Sequence, residues 1–82
     1  MASKSSPASL PSARTRVGAN IRRLRKAMKG KVSQEKLGEM AECHRTYVSQ
    51  LERAKTNISV DRLERFAQIL GVDIADLFLP PP

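Results

Sequence analysis

The sequence predicts an all-α protein of five helices, and three observations carry that expectation. Apolar residues recur at helical spacing, as in Val17, Ile21, Leu24 and Met28, which form one stripe on a 3.6-residue period. Capping residues stand where the stripes begin and end: Ser33, Ser59 and Asp73 ahead of them, Gly30 and Gly71 behind. No segment sustains the period-two alternation of a half-buried strand.

Residues 1–14 are rich in Ser, Ala and Pro. They offer too little apolar area to offset the entropy of ordering and are expected to be disordered. The first helix is expected from Arg14 to Lys29, closed by Gly30, with Lys29 and Lys31 at its negative end. Ser33 caps a short second helix whose first turn carries Glu35 and whose apolar side is Leu37, Met40 and Ala41. Gly38 lies in its middle, where glycine costs about 0.5–1 kcal/mol relative to alanine. That cost implies close approach by the third helix, with Val48 laid across the point of contact. The third helix runs from about His44 to Arg53 with Val48 and Leu51 inward. Only Ala41, Glu42 and Cys43 separate it from the second, so the pair must cross sharply, as in a helix-turn-helix. Ser59 caps a fourth helix bearing Leu63, Phe66, Ala67 and Leu70. Asp73 and Asp76 form a capping arrangement for a last helix through Leu77. Pro80, Pro81 and Pro82 cannot continue it, so the folded unit is expected over residues 15–79, with 80–82 a proline tail.

At 82 residues the chain supports one core, because a domain this small buries only about 60% of its unfolded surface. A single Cys and a single His exclude a disulfide framework and a structural zinc site, and no cofactor is expected. No apolar run reaches the roughly 18–20 residues of a membrane span, and none resembles a secretory signal. The expected location is therefore cytoplasmic, with no membrane partner. A basic first helix lying on a membrane surface is disfavoured because its apolar stripe is needed by the core. Cys43 beside His44 suggests a nucleophile, but no Asp, Asn or second His completes the set, so Cys43 is assigned to packing and the protein is not expected to be an enzyme.

Charge narrows the class further. The net charge is +7, but residues 1–31 hold nine bases and no acid, while residues 32–82 hold six bases and eight acids. A basic front of this kind points to a polyanionic partner. With Val48 and Leu51 inward, the opposite face of the third helix shows Arg45, Thr46, Ser49, Gln50 and Arg53. All can hydrogen-bond and none is acidic. Arg bridges guanine O6 and N7, Gln bridges adenine N6 and N7, and Thr offers a hydroxyl and a methyl.

The stretch SQEKLGEMAECHRTYVSQLERAKTNISVDRLERFAQILGVDIADLF resembles the phage-repressor-type (Cro-like, XRE) helix-turn-helix regulators, whose domain has the five-helix lambda-repressor-like fold. With IRRLRK of the first helix, the likeness covers residues 17–78. The phrasing RTYVSQLER followed by Asn57, Ile58 and Ser59 is most similar to restriction–modification controller proteins and small plasmid regulators. The resemblance implies that His44, Arg45, Thr46, Ser49 and Gln50 reach base edges of duplex DNA. It also implies that Ser33, Gln34, Tyr47, Arg53, Lys55 and Asn57 hold the sugar-phosphate backbone. Arg25 matches the family arginine that pairs with a glutamate at the end of the third helix, here Glu52. The residues agree, because an unpaired Glu52 on a DNA-facing helix would repel phosphate.

Some positions depart from the family. Glu42 stands where the turn usually has Gly, which costs about 1 kcal/mol if the position is left-handed. Ala54 is a milder replacement of the same kind. His44 stands where Ser or Thr usually caps the third helix. It is a poor cap, expected instead to touch a base or phosphate, more strongly when protonated. The link Lys29-Gly30-Lys31-Val32 is longer than usual, and Lys4 of the tail, with Arg14 and Arg16 at the start of the first helix, is expected to serve phosphates without regard to sequence.

One such module contacts too little DNA to specify an operator, so the family binds as a two-fold dimer on a partly palindromic site. Ile74, Leu77, Phe78 and Leu79 are the expected dimer seam, being rich in apolar surface for a short final helix. The expected role is a homodimeric transcriptional regulator that blocks or recruits RNA polymerase. Two alternatives carry a similar domain: an antitoxin that captures a toxin and autoregulates, and a coactivator that bridges proteins.

Overall fold

The computed structural model describes residues 10–81. The tail expectation for residues 1–9, and Pro82, lie outside them. The first helix, α1, spans Ala13–Ala27. It starts earlier than predicted because Ser12 is its cap, its hydroxyl accepting from the Thr15 N–H at 3.2 Å. Arg14 and Arg16 are helical residues, as the expected start at Arg14 implied. Arg14 donates to the Asn57 side chain, and Arg16 donates to the Phe78 carbonyl at 2.9 Å. The helix ends at Ala27, two residues before the expected Lys29. Gly30 and Lys31 then take φ of 85° and 54° and turn the chain toward α2.

Helices α2 (Gln34–Met40), α3 (Arg45–Glu52) and α4 (Val60–Leu70) follow. Ser33 and Ser59 cap α2 and α4 as expected, accepting from the N–H groups of Lys36 and Arg62. A shared closing device ends these helices. After α2, the N–H of Cys43 donates to Gly38 and that of Glu42 to Glu39; after α3, Lys55 donates to Gln50 and Ala54 to Leu51; after α4, Val72 donates to Ala67 and Gly71 to Gln68. This is the Schellman pattern, whose pivot residue is left-handed. Only α4 uses glycine there. Glu42 (φ 57°) and Ala54 (φ 60°) adopt the same conformation at about 1–2 kcal/mol each.

The expected fifth helix is a 3-10 helix over Ile74–Phe78. Asp73 and Asp76 make the predicted reciprocal capping box. Five residues are too few to propagate an α-helix, and short pieces of this length take the tighter turn. The architecture is thus four α-helices closed by one 3-10 turn, with no strand among the described residues.

The core is built from α1 (Val17, Ile21), α2 (Leu37), α3 (Val48, Leu51) and α4 (Leu63, Phe66, Ala67), with Ala41 and Leu77. Backbone approach sets two crossings. A Cβ on Gly18 would sit 2.4 Å from the Leu51 carbonyl oxygen, so α1 meets the end of α3 backbone to side-chain-free backbone. A Cβ on Gly38 would sit 2.7 Å from the Cys43 carbonyl oxygen and 3.3 Å from the Arg45 nitrogen. The close approach to Gly38 is real, but the turn backbone makes it, not Val48.

Leu77 corrects the expected dimer seam. It is 0% exposed and belongs to the monomer's own core. Asn20, buried on α1, explains why: its Nδ2 donates to the Leu77 carbonyl at 2.9 Å and to the Leu79 carbonyl at 2.8 Å. These bonds draw the 3-10 helix onto α1 and turn Leu77 inward. Ile74 is half-buried against the same core. Phe78 and Leu79 stay exposed, at 38% and 53%, and Val60 at the start of α4 is 70% exposed.

Candidate nucleic-acid interface

The α2–turn–α3 unit positions the site. Leu37, Val48 and Leu51 are fully or almost fully buried, which leaves the other face of α3 outside. Arg45, Thr46 and Arg53 are exposed there, and Ser49 and Gln50 are half-exposed. Gln34 at the first turn of α2 lines a shallow concavity with Arg45, Thr46 and Ser49, so one expected phosphate-holding residue and three expected base-reading residues share one surface. No acidic side chain lines that concavity.

Glu52 is the only acid of α3 itself, and it is neutralised. Arg25 donates from Nε to Glu52 Oε2 at 2.6 Å and from Nη2 to Oε1 at 2.9 Å, a two-pronged contact. Its remaining Nη1 donates to the Val32 carbonyl at 2.9 Å. Glu52's side chain is 0% exposed and Arg25's is 9% exposed. The hydrogen bond to Glu52 and that carboxylate's charge hold the Arg25 guanidinium above its ordinary pKa, against the opposing effect of burial. The Gln34 amide also donates to Glu52 Oε1, at 3.0 Å. One network therefore ties α1, α2 and α3 together behind the outward face of α3, and it fixes Gln34, to which the resemblance assigned a phosphate.

Of the remaining expected backbone-contacting residues, Tyr47 and Asn57 come together in a second cluster. Tyr47 donates from its hydroxyl to the Asn57 carbonyl at 3.1 Å, and the Arg62 guanidinium lies 5.0 Å from the Tyr47 ring centroid. Arg53 Nε donates to the Ser49 carbonyl at 3.4 Å, while Lys55 is exposed. Ser33 Oγ is occupied as a cap acceptor, and its hydroxyl proton remains free to donate. Arg14, expected only to serve phosphates without regard to sequence, joins this cluster through Asn57, and Arg62 enters it without having been singled out from the sequence. Their signal is long-range packing, which no local pattern carries.

His44 departs from expectation. It caps α3, its Nδ1 accepting from the Thr46 N–H at 3.0 Å. Cys43 is half-buried in the turn against the core. Among the described residues no helix is long and apolar enough to cross a membrane, and no cluster of His, Cys, Asp and Glu has metal-binding geometry.

The pattern of a helix-turn-helix family matches residues 21–77. The chain is 42% identical over 60 residues to the control protein C.BamHI of Bacillus amyloliquefaciens, covering 73% of each chain. Among solved structures it resembles the restriction-modification controller protein C.AhdI of Aeromonas hydrophila, with TM-score 0.71, 34% identity, and 79% of this chain against 96% of that one. It also resembles the biofilm regulator SinR, solved in complex with DNA, with TM-score 0.64, 32% identity, and 74% of this chain against 95% of that one. The turn closed on Gly38, the acid-free face of α3 and the buried Arg25–Glu52 pair behind it thus sit in a chain that belongs to the XRE-type helix-turn-helix family of DNA-binding transcriptional regulators.

Proposed function

We propose that the chain acts as a homodimer that reads a partly palindromic operator in double-stranded DNA and, in the manner of a controller protein, regulates initiation at a nearby promoter. The observation that carries this reading is the α3 face. It presents Arg45, Thr46, Ser49 and Gln50 outward, while the adjacent carboxylate is fully buried on Arg25. A helix prepared in this way can enter a major groove without repelling the phosphates that flank it. Arg45 and Gln50 would make the two-pronged base contacts. Gln34, Ser33, Tyr47, Arg53, Lys55 and Asn57 would hold the backbone on either side. The bases of α1 add sequence-independent attraction.

The proposed dimer seam shifts from Leu77 to its exposed apolar neighbours. With Leu77 committed to the core, Phe78, Leu79 and Val60 are the large apolar side chains left exposed from α1 onward among the described residues. They are the surface a second copy would cover, with half-sites about 34 Å apart, one turn of DNA. No set of acid, base and nucleophile accompanies this surface, and catalysis is not part of the proposal.

Selection of bound sequences from random duplex DNA tests the reading. The expected result is a motif with two related half-sites. Recovery of unenriched sequences, together with stable copurification of a partner protein, would favour the antitoxin role instead.

A further inference from the structure

His44 precedes α3 with extended backbone, φ −75° and ψ 149°. Its Nδ1 accepts the Thr46 N–H at 3.0 Å. An imidazole nitrogen accepts only when it carries no proton, so the proton of the neutral ring is on Nε2. Nε2 lies on the opposite side of the ring from the cap bond, and His44 is exposed. Serine or threonine in this position would cap the helix with a short side chain. The imidazole caps the helix and also extends an N–H beyond it.

We propose that the cap locks one imidazole tautomer, so that His44 presents a fixed N–H donor at the leading edge of α3 and contacts DNA only at hydrogen-bond acceptors. The proposal rests on the reading of α3 as the DNA-facing helix. The acceptors it fits are guanine O6 and N7, adenine N7, thymine O4 and phosphate oxygens; it is mismatched to the amino groups of cytosine and adenine. The neutral ring does this work. A proton on Nδ1 would turn the acceptor into a donor, break the cap and place positive charge at the positive end of α3. The charged groups around the ring are Arg45 on its own helix and Glu35 and Glu39 on α2, with Cys43 completing the cleft. Both carboxylates accept hydrogen bonds, so they favour the same outward N–H.

The chain has a single histidine, so long-range proton–nitrogen NMR spectra of the full chain report this ring alone. The expected spectrum of the neutral ring shows an unprotonated Nδ1 and a protonated Nε2, with and without operator DNA. The opposite tautomer would overturn the proposal. His44→Ser keeps a cap and removes the outward donor. It should unfold at the same or higher urea concentration than wild type while binding the selected operator about two- to tenfold more weakly. Unchanged affinity would overturn the proposal. Duplexes carrying 7-deazaguanine or single methylphosphonates then tell a base acceptor from a phosphate: whichever change weakens wild type and leaves His44→Ser unaffected identifies the partner, and an identical response of both proteins to every change refutes the contact. A wild type that binds no duplex would instead overturn the DNA reading itself.

Discussion

Replacing Arg25 by Met isolates the buried pair behind α3. Arg25 supplies two of the three donors that reach the Glu52 carboxylate, and Gln34 supplies the third. Glu52's side chain is entirely out of solvent, so Arg25→Met leaves a buried carboxylate with one neutral donor. Removing one partner of a buried pair costs about 3–5 kcal/mol. Small domains hold about 5–15 kcal/mol in total, so the variant loses a large fraction of its stability. At about 4–8 °C per kcal/mol for a domain of this size, the fall in Tm is at least about 12 °C. The double variant Arg25→Met/Glu52→Met removes both charges and should recover most of the loss, since apolar replacement of a buried pair is often neutral. Urea unfolding at constant m measures all three proteins. A loss below about 1 kcal/mol in the single variant would place the pair among exposed ones and refute the argument, as would a double variant no better than the single. The pH dependence has a definite sign. The folded-state pKa of Arg25 is raised, so its contribution is fully present below the unfolded arginine value and is lost only as pH rises through the folded one. Between mild acid and mild base that contribution should be constant.

Leu77→Ala should lower monomer stability by about 2–5 kcal/mol as a core cavity, whereas Phe78→Ser with Leu79→Ser should leave the monomer's unfolding nearly unchanged and weaken the dimer in sedimentation; a stable dimer after both changes sinks the re-placed seam. Glu42→Gly relieves a left-handed non-glycine residue and should stabilise by up to about 1 kcal/mol, because the 3.9 Å contact from Arg65 is exposed and contributes little; a measured loss would mean that this contact holds the turn. Gly18→Ala drives a methyl into the Leu51 carbonyl and should cost about 1–3 kcal/mol or more, with a neutral result in thermal unfolding contradicting the α1–α3 crossing.

Much of this fold was legible because its signals are local. Ser33, Ser59 and the Asp73–Asp76 box cap the helices the sequence marked for them, and the inward pair Val48 and Leu51 left the polar face of α3 outside. What was misread depended on distant partners. Leu77 looked like surplus apolar surface because nothing local reveals that Asn20, 57 positions earlier, binds its carbonyl. Gly18 was overlooked because the stripe Val17, Ile21, Leu24 and Met28 counts side chains, while the α1–α3 crossing needs the absence of one. His44 reads as a poor cap because capping preferences are dominated by short oxygen-bearing side chains, yet its imidazole nitrogen performs the same task.

The central claim, that the outward face of α3 reads base sequence, is tested most directly by repeating the selection from random duplex DNA with Arg45→Ala and Gln50→Ala. The account predicts that each variant keeps the dyad and spacing of the wild-type motif and loses preference at one base pair per half-site, at a cost of about 1–3 kcal/mol on the wild-type operator. A uniform loss of affinity on every sequence, with the motif unchanged at all positions, would contradict it and assign both residues to the phosphate backbone.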